Sequence, residues 1–424
     1  MRRQEVVVSV FLFVIAISVR TYVALQLIGQ YSGDVQVFQF VADTIRVEKS
    51  IYAVKWEAYW QPPGWTWMLI GLRVLADYLG LSFDFMVKIP CMLADGLISA
   101  FLYIALLTRG KGRHHLGWCM LYALNPVSIY VSSIVGQIES LVIGLLLLGA
   151  ILIRRSKSFS FFCSAMLCLG FAIAVKMWAV IFVPFFVWEF VRAGNWKWSD
   201  AVLGLTLVSL PWLLQMLPFF LAGESDAYVW SLRYFMLQSG SGGVDMKLGP
   251  INVLSWIGIP ITGLSLDVVP TPDSWVGLDQ FMNYILDRYR LLLLSKLVFA
   301  CVFLVVVVKG RSFGLAQSIL LSFLLIYVFM GGYFGYYLVW LLPFAVMLQQ
   351  KALIPYTMFA SMVNLHTHRF TAPNISLPGF FSSLESFASG AHIHPWINFG
   401  FWCVCAIWLA RVWAGTSKQS AVDT

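Results

Sequence analysis

The sequence predicts an all-α, polytopic transmembrane bundle of about twelve spans, and three observations carry that prediction. The first is composition: of 424 residues, 60% are hydrophobic and only 11% are charged, with a mean hydropathy of +0.81. A soluble domain carries roughly 25% charged residues, so this chain cannot cover its surface with polar groups and lipid must be its solvent. The second is pattern. Stretches such as Leu297 to Val308 and Ile319 to Met330 are continuously apolar, not alternating. Helices, which satisfy their own backbone in lipid, fit this pattern, and barrel strands do not. The third is the distribution of Lys and Arg, which falls on one side of a twelve-span arrangement.

Taking about 20 apolar residues as a crossing, spans are predicted near 6–29, 86–108, 116–134, 138–153, 159–176, 177–192, 200–222, 289–308, 312–330, 334–350, 352–365 and 395–412. Arg2 and Arg3 precede the first. Arg109, Lys111 and Arg113 follow the second; Arg154, Arg155 and Lys157 follow the fourth; Arg192 and Lys197 follow the sixth. Lys309 and Arg311, then Lys351, then Arg411 and Lys418 continue the series. These loops share one side, which puts both termini in the cytoplasm. The expected location is a prokaryotic plasma membrane, or the ER membrane in a eukaryote. Met1-Arg2-Arg3 and the apolar run from Val6 read as a retained first span rather than a cleaved signal peptide.

The formal charge of +8 is explained by those orienting loops, so no nucleic-acid partner is expected. Cys91, Cys119, Cys163, Cys168, Cys301, Cys403 and Cys405 all lie in apolar runs without a CxxC, and are read as small buried hydrophobes. No P-loop, GxGxxG or zinc signature is present.

The opposite side carries the long loops, 30–85, 223–288 and 366–394, with most of the acids, including Asp34, Asp43, Asp77, Asp84 and Glu224. Loops on a rigid scaffold are where function concentrates. Val37, Phe38, Val41 and Ile45 recur at helical spacing, with Gln36, Gln39, Asp43 and Arg46 between them, which predicts a short helix on the membrane surface. The apolar stretch Gly64 to Leu81, which holds Arg73 and Asp77, is read as interfacial or re-entrant, because a crossing there would invert every later loop. No internal repeat is evident.

Several polar residues stand out against this background. Asp34 follows the first span and suits either a helix N-cap or a general base taking the proton of a hydroxyl. Tyr59, Trp60 and Gln61 precede Pro62-Pro63-Gly64. They suit an interfacial belt with a turn, or a platform for a sugar ring. Asn125-Pro126, Ser132-Ser133 and Gly136-Gln137-Ile138-Glu139-Ser140 interrupt apolar runs, where polar groups are functional candidates unless they simply sit in water at a span end. Lys176 has apolar neighbours on both sides and suits a snorkelling turn residue or a partner for an anion such as a lipid phosphate. In His366-Thr367-His368-Arg369 the histidines do not share a helix face, so phosphate suits the group better than a metal. Lys247 and Arg233 are further phosphate candidates, and Tyr336-Tyr337 open the tenth span. Asn374-Ile375-Ser376 matches a glycosylation sequon.

Together these motifs resemble the GT-C superfamily of membrane glycosyltransferases. The similar branch holds the GPI-anchor mannosyltransferases (GPI mannosyltransferase I-like) and bacterial polyprenyl-phosphate-mannose-dependent enzymes. The matching residues are Gly33-Asp34, Gln61-Pro62-Pro63, Ala94-Asp95-Gly96-Leu97, Asn125-Pro126, Ser132-Ser133, Gly136-Gln137-Ile138-Glu139-Ser140, Val175-Lys176-Met177-Trp178 and Tyr337-Leu338-Val339-Trp340-Leu341-Leu342-Pro343. The resemblance is ordered over residues 1–190 and looser beyond.

It implies a sugar donor, with mannose indicated, carried through one phosphate on a polyprenyl chain. The acceptor would be lipid-linked, a glycan or a protein. Transfer would invert the anomeric centre on the extracytoplasmic or lumenal face. The chain then divides into a GT-C-like catalytic module, 1–222, with outer loop 30–85, and a C-terminal transmembrane module, 223–424, with outer loops 223–288 and 366–394. Asp34 aligns with the family's catalytic acid; Gln137, Glu139, Tyr59, Trp60, Gln61, Tyr336 and Tyr337 would line the substrate. Arg369, His366, Lys176 and Lys247 would face the donor phosphate. Many members carry Asp-x-Asp after the first span, whereas here the third position is Gln36. One carboxylate fewer weakens the case for a divalent metal, and no cofactor is expected. The rival readings are a multi-pass transporter or lipid flippase, and a polymerase or ligase using a diphosphate-linked glycan.

Overall fold

The computed structural model describes residues 3–30, 32–48, 61–107, 114–155, 158–192, 197–224, 290–310, 313–329, 335–371 and 394–420. The described residues are helical throughout, with no strand among them. The first half holds α1 (Arg3–Leu25), α2 (Gly33–Glu48), α3 (Pro63–Leu79), α4 (Phe83–Leu107), α5 (His114–Ala123) and the short α6 (Pro126–Ile129). A π-helical turn (Tyr130–Val135) leads to α7 (Glu139–Arg155) and α8 (Phe159–Val175). A 3-10 turn (Met177–Phe182) precedes α9 (Val183–Arg192) and α10 (Trp198–Leu221). The second half holds α11 (Arg290–Lys309), α12 (Leu315–Phe329), a 3-10 turn (Gly335–Val339), α13 (Leu342–Met347), α14 (Leu353–Thr371) and α15 (His394–Ser420).

Among the described residues five stretches are long and apolar enough to cross a bilayer: Arg3–Leu25, Phe83–Leu107, His114–Val135, Ser199–Leu221 and Trp396–Ala414. The protein is an all-α membrane bundle. Its surface says so independently of length. On α1, Leu12, Ala16, Arg20 and Ala24 recur every four residues and are buried, while Val6, Val7, Val10, Phe11 and Val14 on the other faces are exposed. In water such a helix would hide the second set; a bundle wetted by lipid has no reason to. The helix Leu315–Phe329, by contrast, is buried on nearly every face and forms part of the core. Cys91, Cys119 and Cys405 are buried as expected, but Cys163, Cys168 and Cys403 are only half-buried and Cys301 is exposed, so burial does not account for all seven.

The strongest polar knot in the core joins α1, α4, α5 and α6. Arg20 Nε donates to Asp95 Oδ2 at 2.8 Å, and its terminal nitrogens donate to Ala16 O at 3.0 Å, Ala123 O at 2.6 Å and Ser128 Oγ at 2.5 Å. Tyr122 donates to the other Asp95 oxygen at 2.6 Å. Arg20 and Asp95 are fully buried. A charge this deep persists only when its donors and acceptors are matched, and the free carbonyl of Ala123 exists because Asn125-Pro126 interrupts the helix there. Asn125 caps the new turn by accepting from Val127 N at 3.0 Å and donates to Thr357 at 3.1 Å, so the Val127 amide freed by the break keeps a partner.

The predicted helix in loop 30–85 is α2, and Phe38 and Val41 are on its buried face as the spacing requires. The stretch Gly64 to Leu81 forms α3, which packs beside α2. Phe38 meets Trp65 edge to face at 5.3 Å, and Arg46–Asp77 at 2.6 Å and Arg73–Asp43 at 3.3 Å tie the outer faces. Those ion pairs are exposed and orient the two helices more than they stabilise them. Gly64 lets α3 close onto α8: a Cβ there would clash with Ala174 O and would lie 2.5 Å from Gln215 Oε1. Gly64→Ala is therefore expected to push α3 outward and to cost about 1–3 kcal/mol, read as a lower melting temperature of the purified protein. An unchanged melting temperature would mean that α3 is not clamped there.

Several helix ends differ from expectation, and one of them bears on nominated site residues. The span predicted at 352–365 continues as α14 through Thr371, so His366 to Arg369 are helical and not the start of a loop. Nothing between Leu365 and Thr371 stops a helix, and Pro373, which disfavours helix at the residue before it, is the first residue that does.

Candidate functional site

The site is assembled where α2, the π-helical turn, α7, α8 and the segment Gly335–Val339 meet. Its anchor is Ser32, fully buried. The Ser32 hydroxyl accepts from Val35 N at 3.1 Å and donates to Val135 O at 2.6 Å. Ser32, not Asp34, therefore caps α2, which leaves the Asp34 carboxylate free for other chemistry in the first turn. Its position near the positive end of the helix favours the ionised form. The π-helical turn ends at Gly136, whose φ of +75° is the left-handed geometry that glycine tolerates. A Cβ there would lie 3.0 Å from Val35 Cγ2, so glycine also permits α2 to sit against the turn. Gln137 follows directly and its side chain hydrogen-bonds to Asp34.

Burial raises the Asp34 pKa from the ordinary carboxylate value to about 6, opposed by the Gln137 hydrogen bond and the positive charge of Lys176, and assisted by the negative charge of Glu139. The side chain is nonetheless only half-buried, so a proton can reach it.

Behind Asp34 lies an ion pair. Glu139, fully buried in the first turn of α7, accepts from Lys176 and, through its second oxygen, from Trp340 Nε1 at 2.6 Å. Lys176 stands at the break between α8 and the following 3-10 turn, in extended geometry (φ −153°, ψ 115°). Its ammonium lies over the rings of Tyr337 and Tyr336, 5.1 Å and 5.7 Å from their centroids. Trp340 stacks on Tyr337 at 4.4 Å and lies 4.2 Å from Trp178. The 3-10 segment carrying the two tyrosines is pinned by two hydroxyls: Tyr327 donates to Tyr337 O and Tyr356 to Leu338 O, both at 2.6 Å. The whole forms a buried aromatic box around one cation and one anion, with a titratable carboxylate at its edge.

Six of the residues nominated from sequence are thus brought together: Asp34, Gln137, Glu139, Lys176, Tyr336 and Tyr337. Lys176, expected at a phosphate, is instead engaged by Glu139. Gln61 is buried just ahead of α3 and His366 is buried near the end of α14; neither takes part in the Glu139–Lys176 pair. His368, two residues on, has Nδ1 3.1 Å from the Tyr130 hydroxyl in the π-helical turn. Arg369 lies on α14 with its side chain outside the described residues, as are Tyr59, Trp60 and Lys247 altogether. Among the described residues no three His, Cys, Asp or Glu stand close enough to hold a metal together.

Three participants were not picked out as site residues. Trp340 and Trp178 carried no polar or charged signal, and only the fold reveals them as walls of the box. Lys88, buried at 1% exposure on α4, did carry one. It is a lysine two residues inside a predicted span, and the argument applied to Lys176 applies to it equally. The chain matches no family model, and no curated protein matches it.

Proposed function

We propose that the protein is a GT-C-type glycosyltransferase that moves a sugar, mannose by the family resemblance, from a polyprenyl phosphate to an acceptor hydroxyl. The single observation that carries this reading is the half-buried Asp34, tuned to about 6 and hydrogen-bonded by Gln137 at one end of the bundle. A base poised near neutrality is what abstraction of a hydroxyl proton needs. Arg3, Arg154, Arg192, Lys197, Lys309 and Lys351 lie at or beside helix ends that a twelve-span path would put opposite Asp34, while Arg46, Arg73 and Arg290 would fall on its own side. That distribution supports twelve crossings, cytoplasmic termini and an outward-facing site.

In the proposed reaction the acceptor O–H gives its proton to the Asp34 carboxylate as its oxygen bonds to the anomeric carbon from the face opposite the phosphate. The bond from that carbon to the phosphate oxygen breaks, and its electron pair leaves with the polyprenyl phosphate. The anomeric centre is inverted, and the transition state has oxocarbenium character as in other glycosyl transfers. Gln137 orients Asp34. The Glu139–Lys176 pair fixes Tyr336 and Trp340 behind Tyr337, whose half-buried ring suits contact with a sugar.

The test is incubation of the purified protein in lipid nanodiscs with a panel of radiolabelled polyprenyl-phosphate sugars and candidate acceptors. Label should pass from donor to acceptor with inversion. No transfer from any donor by a well-folded preparation defeats the proposal, and transbilayer movement of intact donor in liposomes would replace it with a flippase.

The pH dependence has a definite sign. A base must be ionised, so kcat/KM should fall about tenfold per unit below the Asp34 pKa of about 6 and be level above it. Gln137 lowers that pKa, so Gln137→Leu should move the acid limb to higher pH. An acid limb that Gln137→Leu leaves in place would assign the titration to another group.

A further inference from the structure

The described core holds three buried cations, and only two are matched. Arg20 has Asp95 and three further acceptors; Lys176 has Glu139. Lys88, at 1% exposure in the second turn of α4, has neither a hydrogen-bond partner nor an ion pair among the described residues. Asp84, one turn earlier and fully buried, does not close on it. One Asp84 oxygen accepts from Gly29 N at 3.2 Å and the other accepts nothing. The charge of Asp84 reaches Lys88 without closing a hydrogen bond or an ion pair, and an ammonium withdrawn from water with neither is costly to keep.

The lysine stem lies beside the candidate site. A Cβ built on Gly136 would lie 3.2 Å from Lys88 Cγ and 3.6 Å from its Cε, so the side chain runs along the glycine that precedes Gln137, the partner of Asp34. Two fully buried hydroxyls within four residues of Gly136, Ser133 and Ser140, also lack partners among the described residues. The unpartnered ammonium, and the unpartnered hydroxyls on the segments either side of Gly136, leave hydrogen-bond donors around the turn that carries Gln137, and a phosphate accepts from such donors.

We propose that Lys88 is the phosphate-binding cation of the site, holding the anionic oxygens of a phosphate borne on a lipid chain. The inference rests on the glycosyltransferase reading, and it moves the phosphate role from Lys176, whose charge is already answered by Glu139, to Lys88. Lys176 then serves as a positioning residue for the aromatic box.

The experiment measures lipid retention, not turnover. Purified protein is loaded with undecaprenyl monophosphate or with undecaprenol and bound lipid is counted by native mass spectrometry, alongside thermal melting of the lipid-free protein. Wild type should prefer the phosphate lipid at least about tenfold, Lys88→Met should lose that preference, and Lys88→Arg should keep most of it. Lys88→Met should also melt as high as wild type or higher, because it removes a buried ammonium that closes no hydrogen bond or ion pair. Excess inorganic phosphate should leave the lipid bound; displacement by phosphate alone would overturn the assignment to a lipid-borne group. Undiminished preference in Lys88→Met overturns the role of Lys88 and leaves the proposed function standing. So does a lost preference accompanied by lower melting and no rescue by Lys88→Arg, since that pattern marks a packing residue. A wild-type protein indifferent to the phosphate overturns both readings together.

Discussion

Asp34→Asn should lower sugar transfer by about a thousandfold while the protein elutes and melts as wild type does and still binds the phosphate lipid. Positioned general bases contribute about 10²–10⁴ to rate, and Asn keeps the size and the hydrogen bond to Gln137 while being unable to take a proton. The substitution does not disturb the cap of α2, because Ser32 supplies it. Nor does it leave a charge unpaired, since Lys176, the nearby cation, keeps Glu139 as its partner. The Glu139–Lys176 pair stands without it. Stability and chemistry should therefore separate cleanly. Radiometric transfer assays on matched preparations decide the matter, and a variant with more than about a tenth of wild-type turnover would remove Asp34 from the mechanism.

The largest effect on stability is expected at the knot between α1 and α4. Asp95→Ala strips Arg20 of its only carboxylate among the described residues and leaves Tyr122 without its acceptor. Breaking a buried, hydrogen-bonded pair from one side costs about 3–5 kcal/mol, because the surviving charge stays buried. That is a large share of the stability of any domain, and Asp95→Ala should aggregate or melt far below wild type in detergent. The double substitution Arg20→Met with Asp95→Leu should recover much of the loss, since it removes both charges at similar volume. Fluorescence-detected gel filtration after heating compares the three. If the single variant melts with wild type, the knot is dispensable.

How much of this was visible in the sequence follows from what each inference required. The all-helical membrane character needed only local composition and continuous apolar runs, so it was open to inspection. So was α2, whose apolar spacing is complete within Val37 to Ile45. The ends of helices were less visible. His366 to Arg369 looked like loop because they are polar, yet polarity does not end a helix, and α14 runs on to Thr371. At the site, Asp34, Gln137, Glu139, Lys176, Tyr336 and Tyr337 were each conspicuous for a local reason: a polar or aromatic residue at the end of an apolar run. Their partnerships were not. Lys176 and Glu139 are 37 residues apart and Trp340 is 201 from Glu139, and no local pattern announces such pairs. Lys88 shows the opposite failure, since its signal, a lysine inside an apolar run, is local and plain.

The Glu139–Lys176 pair has one more effect, on traffic. Glu139 begins α7 and Lys176 ends α8, two neighbouring helices that run in opposite directions. Their opposite charges close the seam between those helices at the end where Asp34 waits. A hydrocarbon tail arriving from the bilayer would have to pull opposite charges apart in oil to slip through there. On the proposed reading the tail would enter elsewhere, and Gly64, which lets α3 lie tight on α8, sets how closely that side of the bundle is shut.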